Sequence, residues 1–222
     1  WLEDYALFMS LKEKFHSRPW YEWSMSLMMR ISEIIRSVSQ ELQDTVQFHY
    51  FLQYQFFRQW RALRSYANQR GVKIIGDVPI YVPLDSVDVW SAPELFQLDA
   101  NCRPTAVAGC PPDSFTSDGQ LWGNPLYNWD KMKENGFAWW IRRLSAAAKM
   151  YDVVRLDHFR GFESYWAVPA GDKTAAGGTW QQGPGLDFIR AIQQALPDMG
   201  FIAEDLGYVT PEVRRLQEES GY

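Results

Sequence analysis

The chain predicts an α/β fold in which helices alternate with parallel strands, and three observations lead there. Apolar residues recur at helical spacing over long segments that are separated by short β-branched runs. Links leading from a helix into a strand are a few residues long, whereas those leaving a strand run to about 50 and about 28 residues. Each candidate strand ends in an acid: Asp77, Asp157 and Glu204. Such alternation implies parallel strands with right-handed crossovers. It puts the long loops at the carboxyl edge, where folds of this class bind ligands.

Taken in order, Leu27, Met28, Ile31, Ile34, Ile35, Val38 and Leu42 recur at three- and four-residue steps and form one helix stripe. A long helix follows over Asp44–Arg70, with Phe48, Leu52, Phe56, Trp60, Leu63 and Ala67 as its buried face and Gly71 as a left-handed cap. Val72 to Ile75, running into Gly76-Asp77, is short and β-branched and reads as a strand. From Val78 to Trp129, Pro, Gly, Asp, Ser and Asn cluster, which predicts mostly loop. Asp130–Met150 reads as one helix with Phe137, Ile141, Leu144 and Ala148 in register, and Tyr151–Asp157 as the second strand. His158–Gly185 is expected to be irregular, Leu186–Leu196 helical, and Gly200–Glu204 the third strand. Thr210-Pro211-Glu212 opens a last helix with a hydroxyl N-cap, a proline at the first position and an acid at the positive dipole end.

Composition narrows the function. Across 222 residues, 46% are hydrophobic and 22% charged, enough apolar surface to build a core. The net charge of -5 and the absence of a basic patch argue against nucleic acid as a partner. No apolar run approaches the roughly 18 residues that span a bilayer, so no membrane is expected. Two cysteines, Cys102 and Cys110, cannot build a disulfide framework or a four-ligand zinc site, which suits a reducing, cytoplasmic setting. Aromatic residues reach 16%, with 11 Trp. The first residue, Trp1, is not an initiator Met, and the chain reads as a piece of something longer.

The three strand-end acids carry the chemistry. Acids are poor strand residues, and three of them on one rim repel, so that their proton affinities split. Glycosyl chemistry needs such a split: one ionised carboxylate and one protonated acid, about 5–5.5 Å apart in retaining enzymes. Arg155 lies two residues before Asp157, on the same face of the strand, and would keep Asp157 ionised as the nucleophile. Ile202 holds the matching place before Glu204 and gives no such help, which makes Glu204 the acid/base candidate. An ordinary reading stands beside this one, since acids at strand ends also cap helices or pair with surface cations.

These residues closely resemble a known family. Val154-Arg155-Leu156-Asp157-His158-Phe159-Arg160-Gly161 is similar to the nucleophile segment of the amylomaltases, the 4-α-glucanotransferases or disproportionating enzymes of glycoside hydrolase family 77. Ile202-Ala203-Glu204-Asp205-Leu206-Gly207 resembles their acid/base segment, and Gly76-Asp77-Val78-Pro79-Ile80-Tyr81-Val82 the segment closing their third barrel strand. Ala108 to Asp113, Phe115, and Gly119 to Tyr127 resemble the mobile loop over their glucan groove, and Asp4 to Phe8 with Arg18-Pro19-Trp20 resembles a further block. The resemblance implies a fragment of a (β/α)8 barrel, about strands three to five. Residues 1–43 would form a helical segment packed on it, and residues 44–222 a partial catalytic barrel. It implies retaining transfer of α-1,4-glucan segments to the 4-hydroxyl of an acceptor glucan. Asp157 would be the nucleophile and Glu204 the acid/base. Asp77, Arg155, His158, Tyr81, Phe115, Trp122 and Asn124 would meet the substrate, with no cofactor or metal. The family's third carboxylate would lie past Tyr222, so the chain alone is expected not to sustain turnover. Ser114 stands where the family usually carries an aromatic.

The remaining residues divide by environment. Trp122 and Phe115 are read as sugar contacts, since sugar rings have apolar faces that stack on aromatics, and Trp90 as a pin for its loop. Helical aromatics such as Phe56, Trp60, Trp139 and Trp140 are expected in the core. His158 would point away from Asp157 in a regular strand, unless a turn redirects it. Two rival functions share the pattern: an α-glucan hydrolase of the amylase class, and a non-catalytic glucan-binding module.

Overall fold

A computed structural model describes residues 1–204 and 209–222. Asp205, Leu206 and Gly207, which complete the block that resembles an acid/base segment, lie outside the described residues.

The amino-terminal part is helical. α1 (Leu2–Lys14) buries Ala6, Leu7, Phe8 and Leu11. The stripe expected to run unbroken from Leu27 to Leu42 is split into α2 (Met25–Met28) and α3 (Ser32–Glu41). Arg30 between them is left-handed, with φ 51°, so apolar periodicity continues across a backbone that turns. α4 (Gln43–Asn68) matches the expected long helix, and Gly71 beyond it has φ +74°. Its buried face is another one. Val46 and His49 are buried and Trp60 donates from Nε1 to Met150 O at 2.8 Å, whereas Phe48, Leu52, Phe56 and Leu63 are exposed. Aromatics lie nearly all round this helix, so the most apolar stripe does not identify the face that packs.

β1 (Ile75–Val78) starts later than expected, which places Asp77 inside the strand. The following segment is far from mostly loop. It holds α5 (Val87–Ser91), β2 (Ala106–Cys110) and β3 (Gln120–Pro125). The helix expected over Asp130–Met150 is two, α6 (Trp129–Glu134) and α7 (Ala138–Met150), parted where Gly136 and Phe137 are both left-handed at φ 66° and 58°. β4 (Val153–Leu156) leads into a 3-10 turn over Phe159–Phe162. The stretch read as irregular then forms β5 (Ser164–Pro169) and β6 (Thr179–Gln182). α8 (Gly185–Ala195), β7 (Gly200–Ala203) and α9 (Pro211–Ser220) complete the chain, with Thr210 capping α9 through Val213 N as the sequence predicts.

Two sheets result. β1, β4 and β7 lie side by side in chain order, all parallel, with Asp77 opposite Arg155 and Arg155 opposite Ile202. β3-β2-β5-β6 form a second, antiparallel sheet built entirely from the segments that leave β1 and β4. Gly109 in β2 is needed there, because an added Cβ would fall 2.4 Å from Gln120 O. Trp140, Phe162 and Phe188 form an aromatic core under these sheets, with Phe162 and Phe188 stacked 4.6 Å apart. Among the described residues, no helix is long and apolar enough to cross a membrane.

Candidate active site

The parallel sheet brings the strand-end acids together. Asp157 and Glu204 extend the ladder past β4 and β7: Asp157 N donates to Val78 O and Glu204 N to Leu156 O, each at 3.1 Å. Asp77 faces them from β1, and Arg155 stands between all three. Arg155 Nη1 donates to Asp77 Oδ1 at 2.7 Å and to Asp157 Oδ1 at 3.0 Å, while Nη2 lies 3.2 Å from Glu204 Oε1. The pairing of Arg155 with Asp157 is as the two-residue spacing predicts. The expected neglect of Glu204 is not, because register sets Ile202 beside Arg155 and lets the guanidinium reach across.

The acids differ in environment. The Glu204 side chain is 15% exposed, against 59% for Asp77. Burial pushes Glu204 up from its ordinary proton affinity, and the Asp157 carboxylate, within hydrogen-bonding reach, pushes it further, while the His158 N–H and Arg155 act the other way. Ile202 is 42% exposed and is not the source of that burial. Asp77 chiefly, with the other carboxylates, strengthens the hold of Arg155 on its charge. The site therefore pairs a carboxyl biased toward its protonated form with a second one bound to a permanent cation.

Around this cluster the aromatic residues are ordered in depth. His158 has φ 51° and ψ 47°, so the chain turns at once after Asp157 and the imidazole is redirected. It meets Trp122 of β3 edge to face, with centroids 4.9 Å apart. Burial, assisted by Arg160, pushes His158 down to about 4, so that it is neutral at pH 7. Trp122, 37% exposed, has its free surface toward solvent, and its Nε1 donates to Gln120 Oε1. Tyr81 is buried between Trp122 and Tyr127, with which it stacks at 5.9 Å. Asn124 donates from Nδ2 to Val82 O and fastens the β2–β3 hairpin to the segment after β1.

Phe115 stands apart. It is 95% exposed on the turn held by Asp113, whose carboxylate accepts from Phe115 N and Thr116 N. Trp90 is a loop pin as expected, fully buried with Nε1 on Leu27 O. Cys102 and Cys110 are free thiols, and burial raises Cys110 to about 11, which keeps it unreactive. Gly161 closes the block that resembles a nucleophile segment, but the sequence alone assigns it no role. An added Cβ there would fall 2.9 Å from His158 Cδ2 and 2.7 Å from Ile80 Cδ1.

Comparison with known proteins identifies a family. The family model described as 4-alpha-glucanotransferase, glycoside hydrolase family 77, matches residues 1–222. The chain is 50% identical over 218 residues to the 4-alpha-glucanotransferase of Aquifex aeolicus, covering 98% of this chain and 45% of that protein. It is 49% identical over 221 residues to that of Thermus thermophilus, covering 100% of this chain and 44% of that protein. Among solved structures, the amylomaltase from Streptococcus agalactiae in complex with acarbose superposes with a TM-score of 0.96 at 45% identity, over 100% of this chain and 45% of that one. The chain thus spans a little under half the length of these relatives.

Proposed function

The chain belongs to the 4-alpha-glucanotransferases of glycoside hydrolase family 77, and on that premise we propose that it carries the nucleophile and the acid/base of an enzyme moving α-1,4-glucan segments between chains. Asp157 attacks the anomeric carbon of the donor. The glycosidic C–O bond breaks as Glu204 gives its proton to the departing oxygen, leaving a glycosyl ester on Asp157. Glu204, now ionised, takes the proton from the 4-hydroxyl of an acceptor glucan. That oxygen displaces Asp157 and forms a new α-1,4 bond, with net retention. The observation that carries this is the unequal exposure of two adjacent carboxyls that share Arg155: the Glu204 side chain is 15% exposed and biased toward protonation, whereas that of Asp157 is 36% exposed.

Asp77 and Arg155 contact the sugar at the cleavage point in this reading. Trp122 offers its ring to a neighbouring glucose, Phe115 folds onto the chain from its exposed turn, and Tyr81, His158 and Asn124 shape the wall behind Trp122. The sequential parallel order of β1, β4 and β7 supports reading them as strands three to five of a (β/α)8 barrel, with residues 1–43 as a helical addition. Two free thiols suit a reducing cytoplasm.

The test is transfer from maltotriose by the longest expressed form of the protein. Glucose together with longer maltooligosaccharides is expected, and added free glucose should divert the product further toward transfer. Release of hydrolysis products alone, insensitive to added glucose, would point to water as the acceptor. Near-normal turnover by Asp157→Asn would remove the nucleophile from the scheme.

A further inference from the structure

Glu204 accepts a hydrogen bond from the backbone N–H of His158, at the point where His158 leaves the strand in a left-handed conformation at φ 51°. Such a conformation is strained for a non-glycine residue, so neighbouring contacts must hold it. Three do so here. Gly161 N donates to His158 O at 2.9 Å and closes the turn. The missing Cβ of Gly161 leaves room for His158 Cδ2, which one would approach to 2.9 Å. Trp122 holds the other side of the ring, edge to face at 4.9 Å.

We propose that His158 is a positioning residue that acts through its backbone: its N–H, at the start of a left-handed turn held between Trp122 and Gly161, keeps in place the Glu204 carboxyl that donates the proton. This rests on the reading of Glu204 as the acid/base. It also ties the β2–β3 hairpin to proton transfer, since a glucose ring seated on Trp122 would press on the ring that holds the turn. The other titratable and charged groups facing Glu204 are Arg155 of β4 and Asp157 just past it, Asp77 of β1 beyond Arg155, and the Cys110 thiol of β2.

The test separates backbone from imidazole. The His158 amide is followed by NMR across pH beside the Glu204 carboxyl carbon in the full chain. The amide should titrate with the midpoint of Glu204, and Glu204→Gln should abolish that response. Asn tolerates the left-handed region and a β-branched residue does not, so His158→Asn should leave the Glu204 midpoint in place. His158→Val should raise proton affinity about tenfold, because a donor that favours the ionised carboxylate is lost. Gly161→Ala, which crowds the ring while leaving His158 itself unchanged, should raise it likewise. An amide that ignores Glu204, or equal shifts in the Asn and Val variants, overturns the proposal. If the NMR behaves as expected but Glu204→Gln retains normal transfer, the acid/base reading is overturned, and with it the part of His158 in proton transfer.

Discussion

Asp157 and Glu204 share one guanidinium: Arg155 reaches Asp157 Oδ1 from Nη1 at 3.0 Å and Glu204 Oε1 from Nη2 at 3.2 Å. Three carboxylates meet on a single permanent charge, which offsets their repulsion without making them equivalent. What separates them is exposure, because the Asp157 side chain is 36% exposed and that of Glu204 is 15%.

Arg155→Gln should therefore do more than remove a sugar contact. Arg155 lowers the proton affinity of Glu204 in the native site, so its loss should raise that affinity further and leave Asp157 without a counter-charge. Transfer at neutral pH is expected to fall about 100-fold, in line with the removal of one preorganised electrostatic group. Arg155→Lys should recover only part of it, since an ammonium lacks the planar fork that spans two acceptors. The check is kcat/KM across pH for both variants, and unchanged values in Arg155→Gln would end this account.

The pH dependence follows from the direction of the Glu204 shift. An acid catalyst works only while protonated, so transfer should be lost as pH rises through the Glu204 midpoint, and burial places that loss higher than for an ordinary glutamate. Glu204→Gln should abolish this alkaline limb along with most of the activity, by about 100- to 10,000-fold. A limb that survives in the variant belongs to another group.

Trp122 and Phe115 should part company when each is changed to Ala. Phe115 is 95% exposed, so its loss should alter stability by less than about 0.5 kcal/mol. Trp122 packs on His158 and Tyr81, so its loss should cost stability as well as glucan affinity. Losing a stacking ring should weaken maltooligosaccharide binding about tenfold, by roughly 1–1.5 kcal/mol. Calorimetric unfolding and titration on the same two variants read both quantities. A Phe115 variant as destabilised as the Trp122 variant would contradict the placement of that turn.

The rim acids were legible because their signal is short-range. An acid closing a β-branched run, with an arginine two residues earlier, fixes both strand and face at Arg155 and Asp157. The capped helix at Thr210 and the cap at Gly71 were legible for the same reason. The antiparallel sheet was not, because β2 and β5 pair across the two separate long segments and carry Gly and Pro where propensity reads loop. The packed face of α4 was hidden by an excess of apolar residues. There the contacts made by Trp60 and Arg64 are hydrogen bonds, which periodicity does not register. The turn at His158 depends on the absence of a side chain at Gly161, a steric fact that needs coordinates.

Asp152 supplies a prediction at the opposite end of the sheet. It precedes β4, roughly 16 Å before Asp157 at about 3.3 Å per residue. Its Oδ1 accepts from Arg64 Nη2 at 2.7 Å and its Oδ2 from Ile74 N and Asn68 Nδ2 at 2.8 Å each, which joins the end of α4 to the entry of β1. Led by the Ile74 N–H, these donors hold the carboxyl down at about 2 from 3.8. A depressed carboxyl contributes stability that is fully present above its unfolded value and is lost as pH falls through its folded one. Asp152→Ala should cost roughly 2–4 kcal/mol at pH 7, since it strands a cation and a backbone donor. That difference should hold down to about pH 4 and shrink between pH 4 and pH 2, while transfer per folded molecule at pH 7 stays unchanged. Urea unfolding of both proteins at pH 7, 4 and 2.5 measures it. An equal gap at pH 7 and 2.5 would show that the carboxylate charge is not what binds α4 to the sheet.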